Sequence, residues 1–274
     1  MLLRERPTFA ELVFHVLAHV RRTAAEPASV YDADWVRFCE GHLGPPNERT
    51  LAEDAEALGA LAPGHASLAR AQLVAWLFGD LERASAAASR ELGSLEPEDV
   101  DAPELLAPLA EAGPAPELLR LAAELERPFF ERLPAPAVDF ARAEAALTRQ
   151  LEAAPGLGDC RVALVRSLGL RGRVRGDLIW VGVPVVAGRP SFEHVAWQAS
   201  HEASVREVGR ATSGAERRVE QMAVVLLAAR AERAGLSEEH ARWLSHFGPN
   251  APDTGEHSLS EVEARAVREL LARS

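Results

Sequence analysis

The residues best suited to chemistry lie in one stretch, Ser191 to Val208, which reads SFEHVAWQASHEASVREV. It contains His194, His201 and Glu202, whose side chains can transfer protons or bind a metal ion. Helical spacing predicts two apolar faces on nearly opposite sides, formed by Phe192, Val195, Ala196, Ala199 and Ala203 and by Trp197, Val205 and Val208. A helix with two apolar faces is usually buried, and buried titratable groups need partners. The stretch is therefore the candidate site.

Short strands are expected to lead into this helix. Cys160–Leu168 and Asp177–Val183 are rich in Val, Ile, Leu and Trp and are bounded by glycines, which is typical of strands. The segment between them, LRGRVRG, is expected to be a third strand or an extended hairpin, and Val185 and Val186 could continue the sheet. Ser191 follows Gly188-Arg189-Pro190 and is the expected N-cap of the central helix.

The rest of the chain has the periodicity of helices. The apolar spacing predicts helices over 8–22, 31–41, 50–61, 65–91, 115–127 and 138–153, with a proline-rich linker or loop at 95–116. Thr8 with Glu11, Ser213 with Glu216, and Ser258 with Glu261 have the spacing of capping boxes. We predict a predominantly helical α+β protein, with a helical region over 1–130 and an α+β region over 131–274. In the second region a small antiparallel or mixed sheet at 160–186 would pack on the central helix at 191–208.

The sequence HEASV, beginning at His201, resembles the HExxH helix of the zincin-type metallopeptidases, in particular the branch whose third metal ligand is a downstream glutamate. The resemblance covers about residues 160–232. It implies a zinc ion held by His201 and Glu220, with Glu202 as general base in the hydrolysis of a peptide or amide bond. Val205 stands where that family has its second histidine.

Glu220 shares the apolar stripe of the following helix with Ala223, Val224, Leu227 and Ala231, so its carboxylate is expected to point inward. Such a group needs a cation or a hydrogen-bond donor. A metal shared with His201 would supply one, and a direct hydrogen bond to His201 or to an arginine would supply another. The alternative to a hydrolase is accordingly an inert scaffold, or a protein that binds a peptide or protein partner.

Two other groups of residues could bind a ligand. His15 and His19 are one helical turn apart, so both imidazoles lie on one flank and could provide reserve metal ligands. Arg171, Arg173 and Arg175 alternate along the predicted third strand and would share a face that could clamp an anion, although an exposed solubilising hairpin is the simpler interpretation.

Composition narrows the classes of function. The 274 residues carry a net charge of −11, which argues against a general nucleic-acid or anionic-membrane binder. Cys39 and Cys160 have no metal-ligand spacing and are expected to be free thiols. We expect a cytoplasmic protein, because the N-terminus is unlike a secretory signal and no apolar run approaches the roughly 20 residues that cross a bilayer.

Overall fold

We analysed a computed structural model of the chain, which describes residues 2, 7–20, 33–43, 56–61, 65–125, 129, 131, 140–186, 189–245 and 258–273. The chain divides into two compact units. The N-terminal unit comprises residues 5–137 together with 165–169, and the C-terminal unit comprises 1–4, 138–164 and 170–274. A five-residue segment that follows the first strand thus belongs to the N-terminal unit, whereas the strands on either side of it belong to the other unit.

The described part of the N-terminal unit is helical. Its α-helices are α1 (Thr8–His19), α2 (Ala33–Leu43), α3 (His65–Ala71), α4 (Leu81–Ala87), α5 (Leu106–Ala110) and α6 (Ala115–Glu124). Short 3-10 helices lie at Gln72–Trp76, Leu92–Ser94, Pro97–Asp99, Pro103–Leu105 and Arg166–Leu168. Helix α1 is buried along almost its whole length, from Phe9 to Ala18. It forms the centre of this unit's core.

Glu11 of α1 connects two distant parts of the sequence. Its carboxylate accepts hydrogen bonds from the backbone N–H groups of Arg166 (2.6 Å) and Ser167 (2.9 Å), so it caps the 3-10 turn at 166–168. The prediction that Thr8 and Glu11 form a capping box is therefore wrong: Pro7 is the N-cap of α1 and no side chain caps it. A buried carboxylate needs donors, and two backbone N–H groups provide them.

The C-terminal unit contains a three-stranded mixed sheet. Its strands are β1 (Arg161–Leu164), β2 (Gly172–Arg175) and β3 (Leu178–Val181), in the order β1-β3-β2. β1 is parallel to β3, and β2 is antiparallel to β3 through a tight hairpin. Val185–Val186 (β4) does not continue this sheet, because it pairs with Arg189–Pro190 (β5) in a separate ribbon. Leu2 forms a parallel bridge to Val162 of β1.

Helices complete the unit: α7 (Phe140–Ala153), α8 (Phe192–Ala211), α9 (Glu216–Arg233), α10 (Ser237–Leu244) and α11 (Glu261–Arg273). Helix α8 is the predicted central helix, and the Ser191 hydroxyl accepts from the N–H of His194 as its N-cap. One apolar face of α8, with Val195, Ala199 and Ala203, packs in a cluster with Val162 of β1 and Ile179 of β3. The opposite side contributes Val208 and Val205 to a second cluster, which includes residues of α9 and α11. The prediction of a helix buried on two sides is confirmed.

The predominantly helical α+β class is also confirmed, but several boundaries differ. The periodicity at 65–91 predicted one helix, whereas the chain forms α3, a 3-10 helix and α4 in succession. Asp80 caps α4 with its side chain, which explains why a new helix begins there. Helix α9 begins after Ala215 without a side-chain cap, and α11 is capped by Ser260 with Glu263 rather than by Ser258 with Glu261. In the described part of the chain no helix is long and apolar enough to cross a membrane.

Candidate functional site

The centre of the candidate site is a hydrogen bond between His201 of α8 and Glu220 of α9. Nε2 of His201 lies 2.9 Å from Oε2 of Glu220. The histidine side chain is 9% exposed and the glutamate side chain is 48% exposed, so the pair joins the interior to the surface. The two residues that the resemblance named as metal ligands are therefore brought together. The Glu220 carboxylate reaches the buried imidazole, while about half of its side chain contacts solvent.

The two groups shift each other's ionisation. Burial alone would lower the pKa of His201, but the hydrogen bond and negative charge of Glu220, with the charge of Glu202, raise that pKa above its ordinary 6.5. Desolvation acts to raise the pKa of Glu220, yet the hydrogen bond and charge of His201 lower it overall, with help from Arg173 and Arg171. Both shifts favour an imidazolium–carboxylate ion pair.

Glu202 lies next to this pair in a different environment. It is 6% exposed, and its Oε1 accepts a 3.0 Å hydrogen bond from the Gln198 side chain, one turn earlier on α8. Burial raises the pKa of Glu202, although the charge of His201 acts in the opposite direction. The carboxylate packs against Gly172 of β2, where a Cβ atom would come within 2.5 Å of its Cγ. Only glycine leaves room for Glu202 at this position.

Among the described residues, the side chains beside His201 and Glu220 do not complete the zinc site that the resemblance implies. Catalytic zinc usually has three protein ligands, and two ligands of a tetrahedral ion at bonds of about 2.0–2.1 Å are about 3.3 Å apart. His201 and Glu220 are closer than that and bond directly to each other. Nδ1 of His201, which a metal-bound histidine normally uses to hold its ring, has no hydrogen-bond partner among the described residues. Within the described ranges no group of three or more His, Cys, Asp or Glu side chains is arranged to hold a metal ion.

Val205 is the reason that α8 supplies no second histidine one turn after His201. It lies one turn after His201 on α8, where a second histidine would face the same ion. Its half-buried side chain instead packs against an apolar cluster with Met222 and Val225 of α9 and Val267 of α11. The position has become part of the contact between helices.

Aromatic rings enclose the other side of His201. Its ring centroid is 5.8 Å from that of Trp243, which in turn is 5.6 Å from His240 on α10. His240 is also 5.4 Å from the ring of Trp197 on α8. Burial, and then the charge of His201, lower the pKa of His240 to about 4, so that it is neutral when His201 is charged. These rings form an aromatic cluster beside His201, whose side chain is 9% exposed.

The reserve ligands His15 and His19 belong to the N-terminal unit and have partners there. Nδ1 of His15 accepts from Nε1 of Trp35 at 3.1 Å, and Nδ1 of His19 donates to the His15 carbonyl oxygen at 2.8 Å. Burial, together with the charge of His19, lowers the pKa of His15 well below 6.5. Cys39 and Cys160 are both buried.

The sequence predicts no role at this pair for three further residues, Arg173, Gln198 and Gly172. Arg173 lies on β2 and donates to the carbonyl oxygen of its neighbour Gly172, and its charge acts on both Glu202 and Glu220. For Gln198, the sequence indicates only a polar residue on a buried helix. Gly172 lies in a glycine-rich hairpin, and nothing in its spacing indicates that a carboxylate from another element occupies the space above it.

The ion pair gives the protein a pH-dependent stability. Because the pKa of His201 is raised, its contribution to the free energy of unfolding is fully present below about pH 6.5. It is lost as pH rises through the pKa of His201 in the folded protein. Because the pKa of Glu220 is lowered, its contribution to the free energy of unfolding is present above about pH 4.5 and is lost as pH falls.

We expect Glu220→Gln to lower the free energy of unfolding most between these two pH values. The loss should be at most about 1 kcal/mol, because Glu220 is half exposed. The measurement is the difference in unfolding free energy between wild type and variant from pH 5 to pH 9, with Glu232→Gln on the exposed face of α9 as control. A difference that does not decline towards pH 9 would contradict the ion pair.

Comparisons with known proteins gave no match: no protein-family profile, no curated protein and no solved structure was significantly similar to this chain.

Proposed function

We propose that the C-terminal unit keeps the helix arrangement of a zincin-type metallopeptidase without its metal-dependent hydrolysis, and that the protein acts by binding a peptide or protein partner. The observation that carries this proposal is the direct bond between His201 Nε2 and Glu220 Oε2. In a hydrolase of the resembling type these atoms would bind the metal. Here each atom satisfies the other, and the position of the remaining ligand is a valine in the helix interface.

The surface around Glu220 suits recognition of a partner. The half-exposed carboxylate is held in place by a buried imidazole, and the charges of Arg171 and Arg173 act on it. A rigid, partly desolvated charged group contributes more to specificity than a mobile surface side chain, because less rotamer freedom is lost on binding. The partner would meet both signs of charge within one small area.

The second candidate function is the metal-dependent hydrolase itself. It is favoured by the choice of atoms: Nε2 of His201 faces Glu220, and Glu202 is available as a buried carboxylate beside them. If this function is correct, a metal would bind His201 and Glu220 with an additional ligand from outside the described residues. The two proposals differ in metal content, so both can be tested on the same preparation.

The test combines elemental analysis with affinity capture. Purified wild-type protein, supplied with zinc during expression, should hold less than about one zinc per five chains and should not hydrolyse a peptide library. Capture from the source cells should retain a partner on wild type and on Glu232→Arg, an exposed control on the same helix, but not on Glu220→Arg. Stoichiometric zinc that is lost in both His201→Ala and Glu220→Ala, with peptide hydrolysis, would overturn the proposal in favour of the hydrolase. Equal retention on all three baits would reject the Glu220 surface as the binding site.

A further inference from the structure

We propose that a cleft in the C-terminal unit binds a free α-amino acid with a bulky apolar side chain, in its zwitterionic form. The cleft lies between α7, the first turns of α8, and α10, and has a volume of about 480 Å³. This volume is within the range of about 300–1,000 Å³ that is typical of small-molecule sites. Neither His201 nor Glu220 lines the cleft, so the proposal does not depend on the function proposed above.

The floor of the cleft is apolar. Ala196 and Trp197 of α8 are each 5% exposed, and Pro155 and Leu236 are half-buried at its sides. Ala146 of α7 also lines the cleft, and its small side chain leaves room for a ligand. A hydrocarbon side chain that enters this space leaves water for a mostly apolar surface, which is favourable.

Four charged side chains line the cleft, and their formal charges sum to zero. They are Arg149 of α7, Glu193 of α8, and Glu239 and Arg242 of α10. Arg242 donates to Glu193 at 3.1 Å, so these two charges are already paired. Glu239 lies 4.0 Å from Arg242, which is too long for a hydrogen bond, and Arg149 has no ion-pair partner among the described residues. Within the described part of the chain, the cleft therefore offers a ligand one positive and one negative group that lack hydrogen bonds.

A zwitterion complements these two groups. The guanidinium of Arg149 matches an α-carboxylate with two parallel hydrogen bonds, and the carboxylate of Glu239 accepts from an α-ammonium group. An anion or a cation of the same shape would gain one of these contacts and leave the other group without a partner. Because a zwitterion has no net charge, the charge of −11 on the whole chain neither attracts nor repels it, and recognition depends on the cleft itself.

The probe for the experiment is L-phenylalanine, titrated into the full chain and followed by the amide chemical shifts of the protein. The salt concentration is about 0.15 M, which screens charges more than about 8 Å away. Three compounds each lack one part of the probe: 3-phenylpropanoate the ammonium group, 2-phenylethylamine the carboxylate, and glycine the side chain. We expect one saturable site for L-phenylalanine, and dissociation constants at least about fivefold higher for each of the other three compounds.

Two substitutions assign the two charged contacts. Arg149→Gln should weaken L-phenylalanine at least about fivefold and leave 2-phenylethylamine unchanged, since that compound has no carboxylate. Glu239→Gln should weaken L-phenylalanine by a similar factor and leave 3-phenylpropanoate unchanged, since that compound has no ammonium group. Ala146→Leu should weaken all three phenyl compounds, because the larger side chain fills the cleft.

The matched controls are Arg217→Gln on α9 and Glu238→Gln on α10, which remove the same charges at exposed positions outside the cleft. Both should bind all four compounds as wild type does, and the far-ultraviolet circular dichroism of the charge variants should match that of wild type. The proposal is overturned if L-phenylalanine shows no saturable binding, or if 3-phenylpropanoate or 2-phenylethylamine binds as tightly as L-phenylalanine. It is also overturned if the controls weaken L-phenylalanine as much as Arg149→Gln and Glu239→Gln do.

Discussion

Replacing Val205 by histidine is expected to create a zinc site. The new imidazole would lie one turn after His201 on α8, on the side from which Nε2 of His201 already meets Glu220. With His201, Glu220 and the introduced imidazole, the ion would have the three protein ligands of a catalytic zinc centre. We expect zinc affinity to rise by roughly 1,000-fold over wild type, which corresponds to about 4 kcal/mol.

Val205→His is expected to destabilise the zinc-free protein by less than the free energy gained on zinc binding. Val205 is half-buried and contributes to the cluster between α8, α9 and α11, so a larger polar ring there is expected to cost about 1–3 kcal/mol of stability without metal. Zinc binding would then offset that loss, because a ligand that binds only the folded state stabilises it. The variant should therefore melt below wild type without zinc and above it with zinc.

Calorimetric titration of zinc into the purified proteins measures the effect. Val262→His is the matched control, because it adds one imidazole at an exposed position of α11 that is 72% accessible to solvent. Val205→His combined with His201→Ala should lose the gain, and combination with Glu202→Gln should keep it, since Glu202 is not proposed as a ligand. A folded Val205→His variant that binds zinc no better than Val262→His would mean that α8 and α9 do not have the geometry of the resembling metallopeptidases.

The sequence was sufficient for the parts of the fold that depend on local pattern. The two apolar faces of Ser191–Val208 predicted a helix that is buried on two sides. The Val- and Ile-rich segments predicted β1 and β3. The apolar stripe of α9 predicted that the Glu220 carboxylate needs a cation or a hydrogen-bond donor. A direct hydrogen bond from His201 was one of the predicted partners. In each case neighbouring residues in the sequence carry the signal.

Contacts between distant segments could not be predicted in this way. Glu11 has the spacing of a capping-box residue, but its carboxylate caps a turn 155 residues later. Gly172 is one of three glycines in and beside the β2–β3 hairpin, and only the position of α8 makes it necessary there. Local pattern reports which residues are buried, whereas the partner of a buried charge depends on how the helices pack.

Local pattern also does not predict the ion pair of Arg230. Substitution of this residue is expected to cause the largest loss of stability. Its side chain on α9 is 5% exposed and donates to Glu207 of α8 at 2.8 and 3.2 Å, with a longer contact to Ser204. Its guanidinium also occupies the space beside Gly156, where a Cβ atom would lie 2.5 Å from Nη1. The ion pair is a second link between the helices that hold His201 and Glu220.

Arg230→Ala is expected to destabilise the C-terminal unit by about 3–5 kcal/mol, because it leaves the partly buried Glu207 without its partner and opens a cavity. Amide hydrogen exchange of α8 and α9 measures this loss in the unit concerned. Arg233→Ala lies three residues later at an exposed position. It removes a hydrogen bond to the Leu271 carbonyl and should cost less than about 1 kcal/mol. Replacing both Arg230 and Glu207 by leucine should recover much of the loss, since removal of both charges leaves neither one unpaired. If Arg230→Ala were as mild as Arg233→Ala, the α8–α9 contact would depend on its apolar cluster alone, and the alignment of His201 with Glu220 would need no ionic support.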